Sequence, residues 1–290
     1  MRLAMFDDGK GARLGAIMGD GIADLASVTA FKDVLASCDA GLAALSELSN
    51  AASAAPKASL NSVRLHAPIP RPRRNIFCVG KNYHEHAKEF HASGFDATAT
   101  SAVPDLPIVF TKASNTVSGP GDAIPASLDE TNSVDYEGEL ALVMGLRKRG
   151  ISKADALGSI FGYTIVNDVT SRHLQGAHKQ WFLGKSIDGF CPMGPCVVTA
   201  DEVPDPTTMR LVTKVNGEIR QDAIVSDLIF DIPTLVETIS KRITLEPGDI
   251  IATGTPAGVG IGFTPPKFIK PGDVIEITIE PIGTLRNPVA

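Results

Sequence analysis

The chain has 290 residues, of which 43% are hydrophobic and 21% are charged, and its formal net charge is −6. This composition is that of a globular protein with one large domain or two unequal ones, and it offers no basic surface for nucleic acid. The first residues turn acidic before an apolar signal core could form, and no apolar stretch reaches membrane-spanning length. We therefore expect a cytoplasmic protein with neither nucleic acid nor membrane as a partner.

The first 70 residues predict a small N-terminal α/β domain. Three short strands, at residues 2–6, 13–18 and 22–25, are separated by glycine-containing turns, as in a β-meander. An Ala- and Leu-rich helix is predicted over residues 31–48. Prolines 68, 70 and 72 then predict an extended linker. We place the boundary there, which gives domains 1–70 and 71–290.

A strand over residues 75–80 leads into a short helix that carries a candidate acid–base pair. The helix places His86 and Glu89 at i, i+3 on one face. A carboxylate beside an imidazole orients the ring, as a general base requires, although a solvated surface pair has the same spacing. Residues 91–107 are rich in small and polar residues and predict a loop. It is either a lid over an active site or a surface insertion.

A strand at residues 107–112 and a turn at 119–122 precede the candidate metal site. Side chains on a strand alternate in direction, so Glu137 and Glu139 point the same way. Asp168, at the end of a β-branched and aromatic run that begins at residue 160, is our third ligand. Three carboxylates without Cys or His ligands suit Mg²⁺ or Mn²⁺ rather than Zn²⁺. The alternative is that both glutamates form the polar face of an edge strand.

Polar residues after Asp168 extend this candidate site. Ser171 is a candidate cap for a short helix, which carries Arg172 and Gln175 at i, i+3 toward the metal. Lys185 either loses affinity for its proton beside a cation or pairs with a substrate carboxylate. Near the end of the chain, a glycine loop at residues 253–260 presents the backbone of Gly254 and the hydroxyl of Thr255 to a small anion, or is only a tight turn.

The last third of the chain is predicted to be rich in strands. A hairpin over residues 211–221 has Asn-Gly at its turn, the pair that type I′ turns favour. Asp231 and Pro233 begin an amphipathic helix that ends near residue 241. Strands follow at residues 250–253 and 274–279.

Five segments in order give the chain a resemblance to the fumarylacetoacetate hydrolase superfamily. They are Gly80-Lys81-Asn82-Tyr83 with His86 and Glu89, the Asp-Tyr-Glu-Gly-Glu-Leu run at 135–140, Asn167-Asp168 with Arg172 and Gln175, Gly184-Lys185-Ser186, and Thr253-Gly254-Thr255-Pro256. One position departs from the family pattern, because Lys81 stands where the family has arginine. An arginine binds a carboxylate through two parallel hydrogen bonds, which a lysine cannot reproduce.

The resemblance implies an α+β fold, in which a rolled mixed β-sandwich with flanking helices follows a small N-terminal domain, and it implies a homodimer. It also implies site roles, residue by residue. Glu137, Glu139 and Asp168 bind Mg²⁺ or Mn²⁺; His86 and Glu89 activate water; Lys185 acts in catalysis; and Arg172, Gln175, Thr255 and Gly254 bind the substrate.

The implied reaction is metal-dependent hydrolysis of the carbon–carbon bond of an acylpyruvate. A 2,4-diketo acid such as fumarylpyruvate or maleylpyruvate, from aromatic compound catabolism, would give pyruvate and a carboxylic acid. Stabilising a pyruvyl enolate equally permits oxaloacetate decarboxylation or dienoate isomerisation and tautomerisation, which are the alternatives. A diketo-deoxy sugar acid hydrolase and a non-catalytic protein that binds metal and pyruvate are further candidates.

Overall fold

The computed structural model describes residues 1–94 and 101–290. The predicted loop over 91–107 falls partly on residues 95–100, which lie outside the described residues, whereas residues 101–107 contain neither helix nor strand. The strands are β1 (Arg2–Asp7), β2 (Arg13–Met18), β3 (Gly21–Asp24), β4 (Lys57–Ser59), β5 (Arg64–His66), β6 (Ile76–Gly80), β7 (Ile108–Lys112), β8 (Val117–Ser118), β9 (Val134–Asp135), β10 (Gly138–Met144), β11 (Ile160–Asn167), β12 (Thr170–Ser171), β13 (Cys191–Thr199), β14 (Arg210–Val215), β15 (Glu218–Ile224), β16 (Ile250–Ala252), β17 (Val274–Ile279) and β18 (Gly283–Pro288). The α-helices are α1 (Val34–Ala40), α2 (Leu45–Ala54), α3 (His84–Ala92), α4 (Lys153–Ala156), α5 (Arg172–Ala177), α6 (Phe182–Lys185) and α7 (Ile232–Ser240).

The N-terminal meander is confirmed, but the single helix predicted over residues 31–48 is wrong. The segment forms α1 and α2, and the chain turns between them at Gly41, whose φ of +68° lies in the left-handed region that glycine adopts without strain. Hydrophobic periodicity could not reveal this break, since buried Val34, Cys38, Leu45 and Leu48 face the same core from both helices.

The N-terminal segment shares the large sheet with the rest of the chain. Strand β1 pairs antiparallel with β13, so that Leu3 lies opposite Val197, and the sheet runs in the order β4-β3-β2-β1-β13-β11-β10-β16-β6-β7. The large sheet thus contains strands from both sides of residue 70. The domain boundary at that residue stays a prediction.

Hydrophobic side chains are packed on both faces of β10. Leu140, Leu142 and Met144 point to one side, and Ala141 and Val143 to the other, because side chains alternate along a strand. The first side packs against helix α7 and the four-stranded sheet β15-β14-β17-β18, and the second against α1 and α2. The fold is therefore α+β with packed sheets and flanking helices, as predicted.

Strand order and register bring the ends of four strands of the large sheet side by side. The start of β10 lies opposite the end of antiparallel β11, with Gly138 beside Asn167. The end of β16 lies beside the start of β10, because these two strands are antiparallel. Strand β6 ends there as well, because it is parallel to β16. The segments that follow β6, β11 and β16 carry candidate site residues, and these residues therefore lie close to Glu137 and Glu139 at the start of β10.

The C-terminal elements agree with the prediction. Strands β14 and β15 form the hairpin, and Asn216 and Gly217 both have positive φ, as a type I′ turn requires. Helix α7 begins after Asp231, whose carboxylate accepts a hydrogen bond from the backbone N–H of Thr234. Within residues 1–94 and 101–290, every helix is too short or too polar to cross a membrane.

Candidate metal centre and active site

The structure brings the three predicted metal ligands together. Glu137 precedes β10, Glu139 lies within it and Asp168 follows β11, and one oxygen from each lies within 4.8 Å of the other two. All three are buried. The edge-strand alternative is wrong, because β10 lies between β11 and β16. Three buried carboxylates with converging oxygens and no sulfur or imidazole among them fit a hard divalent cation.

Gly138, between the two glutamates, is required by packing. A methyl group at this position would collide with the hydroxyl of Thr213 on the facing sheet. The close approach of the two sheets therefore accounts for the glycine in the Glu-Gly-Glu run.

Two lysines neutralise part of the charge of the triad. The Nζ atom of Lys185 lies 2.7 Å from Glu137 Oε2 and 2.7 Å from Asp168 Oδ2, and that of Lys112 lies 2.7 Å from Asp168 Oδ1. Burial raises the pKa of Glu137, but the positive charges of Lys185 and Arg172 outweigh it and lower this pKa to about 2.

The third carboxylate shows the opposite behaviour. Burial, together with the charges of Asp168 and Glu137, raises the pKa of Glu139 well above its usual range. The triad thus retains a repulsion that a bound cation would relieve.

Arg172 is completely buried and is held by two carboxylates. Its Nε donates to Asp135 Oδ2 at 2.9 Å, and its Nη1 lies 2.6 Å from Glu137 Oε1. Nη1 also donates to Gln175 Oε1 at 3.2 Å, so the predicted i, i+3 pair is formed on α5. Asp135 in turn accepts hydrogen bonds from the backbone N–H groups of Gly260, at 2.6 Å, and Ile261, at 3.1 Å. This network ties α5 to the glycine loop.

Helix α5 does not begin as predicted. Ser171 occupies the N-cap position, but its side chain accepts no hydrogen bond there and donates to Asp129 Oδ1 at 3.0 Å. Asp129 also accepts from Thr131 and Ser133, so a buried carboxylate holds the turn at residues 129–133. Burial works against ionisation of this group, but the hydrogen bonds outweigh it and lower the pKa of Asp129.

The predicted acid–base pair is formed and is enclosed. His86 Nδ1 lies 3.2 Å from Glu89 Oε2, and Glu89 accepts a hydrogen bond from the backbone N–H of Gly258 at 3.0 Å. His86 is only 4% exposed, so the alternative of a solvated surface pair is wrong. A methyl group at Gly262, two residues after the glycine loop, would collide with the Glu89 carboxylate, which shows how closely this segment covers the carboxylate.

The glycine loop acts on the triad itself. The backbone N–H of Gly254 donates to Glu139 Oε2 at 2.8 Å. The hydroxyl of Thr255 donates to the Gly138 carbonyl at 3.0 Å and accepts from Gln221 Nε2 at 2.7 Å. Both groups thus hold the chain at the predicted metal ligands, and their binding of substrate stays a prediction.

One cavity is lined by most of these groups, whereas Asp168, Glu89 and Gly254 are not part of its lining. The predicted residues that line it are His86, Glu137, Glu139, Arg172, Gln175, Lys185 and Thr255. Phe90, Phe110 and Trp181 form an aromatic wall, in which Trp181 meets the other two rings edge-on at centroid distances of 6.0 and 5.1 Å. The wall makes one side of the cavity apolar, and an apolar surrounding strengthens electrostatic interactions.

Sequence reasoning missed two buried charged residues. Lys112, at the end of the strand predicted over residues 107–112, pairs with Asp168, and Asp135 holds Arg172. Asp135 stands in the same run as the glutamates, so its position was a usable signal. Lys112 gave none, because a lysine at a strand end is ordinarily at the surface.

Comparisons with known proteins identify the family of the chain. A family profile described as fumarylacetoacetate (FAA) hydrolase C-terminal matches residues 75–290. Oxaloacetate tautomerase YisK of Bacillus subtilis is 55% identical over 231 residues, which are 80% of this chain and 74% of the relative. The structure of a fumarylacetoacetate hydrolase from Exiguobacterium antarcticum has a TM-score of 0.87 and 40% identity, and covers 100% of this chain and 99% of its own.

A third relative was crystallised with ligands. Maleylpyruvate hydrolase of Sphingobium sp. SYK-6, in complex with manganese(II) and pyruvate, has a TM-score of 0.81 and 32% identity, again over 100% of this chain and 99% of its own. The matching profile spans well over half of the chain, and the relatives are enzymes. The chain belongs to the fumarylacetoacetate hydrolase family.

Proposed function

We propose that this protein is a metal-dependent tautomerase that interconverts the keto and enol forms of oxaloacetate. The observation that carries the proposal is a cavity lined by two carboxylates of the triad, by the buried ammonium group of Lys185 and by His86. The third carboxylate, Asp168, pairs with Lys185, and Glu89 pairs with His86. The 55% identity to oxaloacetate tautomerase YisK supports it over the hydrolysis that the sequence alone favoured.

The residues of the triad fit a resident cation. Glu137, Glu139 and Asp168 would hold Mg²⁺ or Mn²⁺, and the ion, when bound, supplies Lewis-acid polarisation of a 2-oxo acid. Arg172 and Gln175, which lie on one face of α5 in the cavity wall, would bind the substrate carboxylate next to the oxo group.

The proton transfer falls to His86. Its Nδ1 faces the Glu89 carboxylate, which leaves Nε2 as the ring nitrogen that can exchange a proton with a ligand in the cavity. In the keto-to-enol direction Nε2 takes a proton from C3 and returns a proton to the C2 oxygen, so protons and electrons balance. Glu89 holds the ring in the required orientation and is itself held by Gly258.

Lys185 is suited to stabilise the charge that develops on the C2 oxygen. Burial disfavours its charged form, but Asp168 and Glu137 outweigh this and raise the pKa of Lys185, so the ammonium stays charged at neutral pH. A fixed positive charge on a buried side chain stabilises a developing oxyanion more than the same charge in water would.

The test follows the decay of enol absorbance after oxaloacetate is added, with Mg²⁺, with Mn²⁺ and with EDTA, against the metal alone without protein. We expect protein-dependent acceleration that EDTA abolishes. A decay rate equal to that of the metal alone would remove tautomerisation from the functions of this site.

A second candidate is hydrolysis of an acylpyruvate, and the enclosed His86–Glu89 pair favours it. The same Nε2 could deprotonate a water molecule for attack on the distal carbonyl of maleylpyruvate or fumarylpyruvate. Maleylpyruvate hydrolase of Sphingobium, at 32% identity, supports this chemistry on the same fold.

Pyruvate release separates the candidates. Coupling to lactate dehydrogenase would measure it from fumarylpyruvate, maleylpyruvate, acetylpyruvate and oxaloacetate. Metal-dependent release from the diketo acids alone identifies a hydrolase, and release from oxaloacetate identifies a decarboxylase. Enol decay without pyruvate release identifies a tautomerase.

A further inference from the structure

Gln221 is a completely buried polar side chain that links two parts of the site. It lies on β15, in the four-stranded sheet that packs against β10, and its exposed fraction is 0%. Its side-chain oxygen accepts a hydrogen bond from the backbone N–H of Gly138 at 3.0 Å. Its side-chain nitrogen donates to the hydroxyl of Thr255 at 2.7 Å and to the carbonyl of Pro256 at 2.8 Å. Gln221 therefore joins the Glu-Gly-Glu run to the glycine loop.

A β-bulge lies next to Gln221. The register of β14 and β15 shifts between Thr213 and Lys214. Arg220 is therefore an extra residue on β15, directly before Gln221. A bulge re-aims the side chains beside it, and bulges are frequent next to active sites. The glycine loop lies directly on this bulge, because a methyl group at Gly258 would collide with the Arg220 carbonyl.

One end of this link bears on the predicted metal ligands. Gly138 lies between Glu137 and Glu139 in the chain. Its bond to Gln221 therefore restrains the backbone from which both carboxylates project. The Gly138 carbonyl is held by the same network, because it accepts from the Thr255 hydroxyl at 3.0 Å. Residues that orient metal ligands through hydrogen bonds strengthen metal binding, and their loss weakens it.

The other end bears on the acid–base pair. Two residues beyond Pro256, the N–H of Gly258 donates to Glu89 at 3.0 Å, and Glu89 pairs with His86. The bonds from Gln221 hold the start of the loop, so they also restrain the segment that holds Glu89.

The partners of Gln221 are themselves buried. Gly138, Thr255 and Pro256 all lie in the interior. Without the glutamine, the Gly138 N–H and the Pro256 carbonyl would each lose a bond in a place where burial makes an unpaired polar group costly. Loss of Gln221 therefore favours movement of the glycine loop away from β10.

We propose that Gln221 is a positioning residue that fixes the glycine loop against the metal-binding run at residues 137–139. It thereby sets the predicted metal ligands and the His86–Glu89 pair together. The inference rests on the proposed function, which assigns the metal and the proton transfer to those groups. Gln221 is not part of the cavity lining and acts through the residues to which it bonds.

The test replaces Gln221 by methionine, which is similar in length and equally uncharged. Isothermal titration calorimetry would measure the dissociation constant of Mn²⁺ for the wild type, Gln221→Met and the control Gln180→Met. Gln180 is exposed between α5 and α6, so the control makes the same chemical change in solvent. Hydrogen exchange followed by mass spectrometry would measure the backbone amides of residues 253–262, and thermal melting reports on the fold of each variant.

We expect Gln221→Met to raise the Mn²⁺ dissociation constant roughly 10- to 100-fold. It should also speed the exchange of the amides at residues 253–262 roughly 10-fold. Because the substitution leaves the net charge unchanged, weaker binding reports on the position of the carboxylates and not on their attraction for the ion. Gln180→Met should match the wild type in both measurements.

A folded Gln221→Met protein with the Mn²⁺ affinity of the wild type would overturn the proposal, because a purely structural glutamine changes only the melting temperature. Unchanged exchange at residues 253–262 would overturn it as well. If Gln221→Met does not fold, Thr255→Val decides on its own. It removes the hydroxyl that joins Gln221 to the Gly138 carbonyl and should weaken Mn²⁺ binding roughly 3-fold or more, and an unchanged affinity would contradict the proposal.

Neither measurement requires turnover. Failure of the tautomerase proposal would show in the enol assay of the wild type, and failure of this inference only in the Gln221 and Thr255 variants. A wild type that binds no Mn²⁺ would contradict the proposed function, and the exchange of residues 253–262 would then decide whether Gln221 holds the loop.

Discussion

The most informative single substitution is Asp135→Asn, which keeps the shape of a completely buried side chain and removes its charge. Asp135 accepts four hydrogen bonds: two at Oδ1, from the backbone N–H groups of Tyr136 and Gly260, and two at Oδ2, from the N–H of Ile261 and Nε of Arg172. An asparagine offers only one acceptor oxygen. Its amide NH₂ group would face the two N–H donors that had bonded to the other carboxylate oxygen.

The expected cost follows from those partners. Two of the four donors lose their acceptor, each at about 1–3 kcal/mol, and Arg172 loses one of its two carboxylates in a completely buried position. Breaking a buried ion pair by removing one partner costs about 3–5 kcal/mol, and we expect the free energy of unfolding to fall by about that amount. This is a large fraction of the about 5–15 kcal/mol by which a domain is stable.

Urea denaturation followed by circular dichroism would measure the loss, and Asp222→Asn is the matched control. Asp222 also pairs with an arginine, Arg210, but both side chains are exposed, so the loss of this pair should cost less than about 1 kcal/mol. A similar small loss in both variants would refute the conclusion that Asp135 anchors Arg172 and the glycine loop.

Three further predictions concern the site and its surroundings. His86→Ala should lower turnover about 10²- to 10⁴-fold while calorimetry still detects metal-dependent oxalate binding; undiminished turnover would remove the His–Glu pair from the mechanism. Gly262→Ala should push the Glu89 carboxylate aside and lower kcat roughly 10-fold or more without changing metal affinity. The control Gly158→Ala, which has open space around the added methyl group, should leave kcat unchanged. Equal activity of the two variants would contradict this prediction. Asp129→Asn should make the melting temperature depend less on pH in the acid range. Because the pKa of Asp129 is lowered in the folded state, its carboxylate stabilises the protein above the unfolded pKa of about 3.9, and this stabilisation is lost as the pH falls through the folded pKa. The melting temperatures of the wild type and the variant should therefore converge at low pH. Parallel curves down to pH 2 would show that the turn does not depend on this charge.

The candidate site could be predicted from sequence to the extent that its residues are local. The period of an extended chain placed Glu137 and Glu139 together, and the helical period paired His86 with Glu89 and Arg172 with Gln175, because the members of each pair are only two or three residues apart. Local reasoning was wrong about Ser171, whose hydroxyl has a choice of partners and bonds Asp129, forty-two residues earlier in the chain.

The sequence by itself determined the order of the elements, the acidic triad, the acid–base pair and, through five motifs in order, the family. Only the tertiary structure decided that Lys112 and Asp135 are buried in this site and that Lys81 faces its cavity, since the charge of a residue does not reveal whether it is solvated. The reason is register: the four strand ends meet only when β10 pairs with both β11 and β16, and the pairing with β16 joins residues more than a hundred positions apart. No period in the sequence records a contact of that separation.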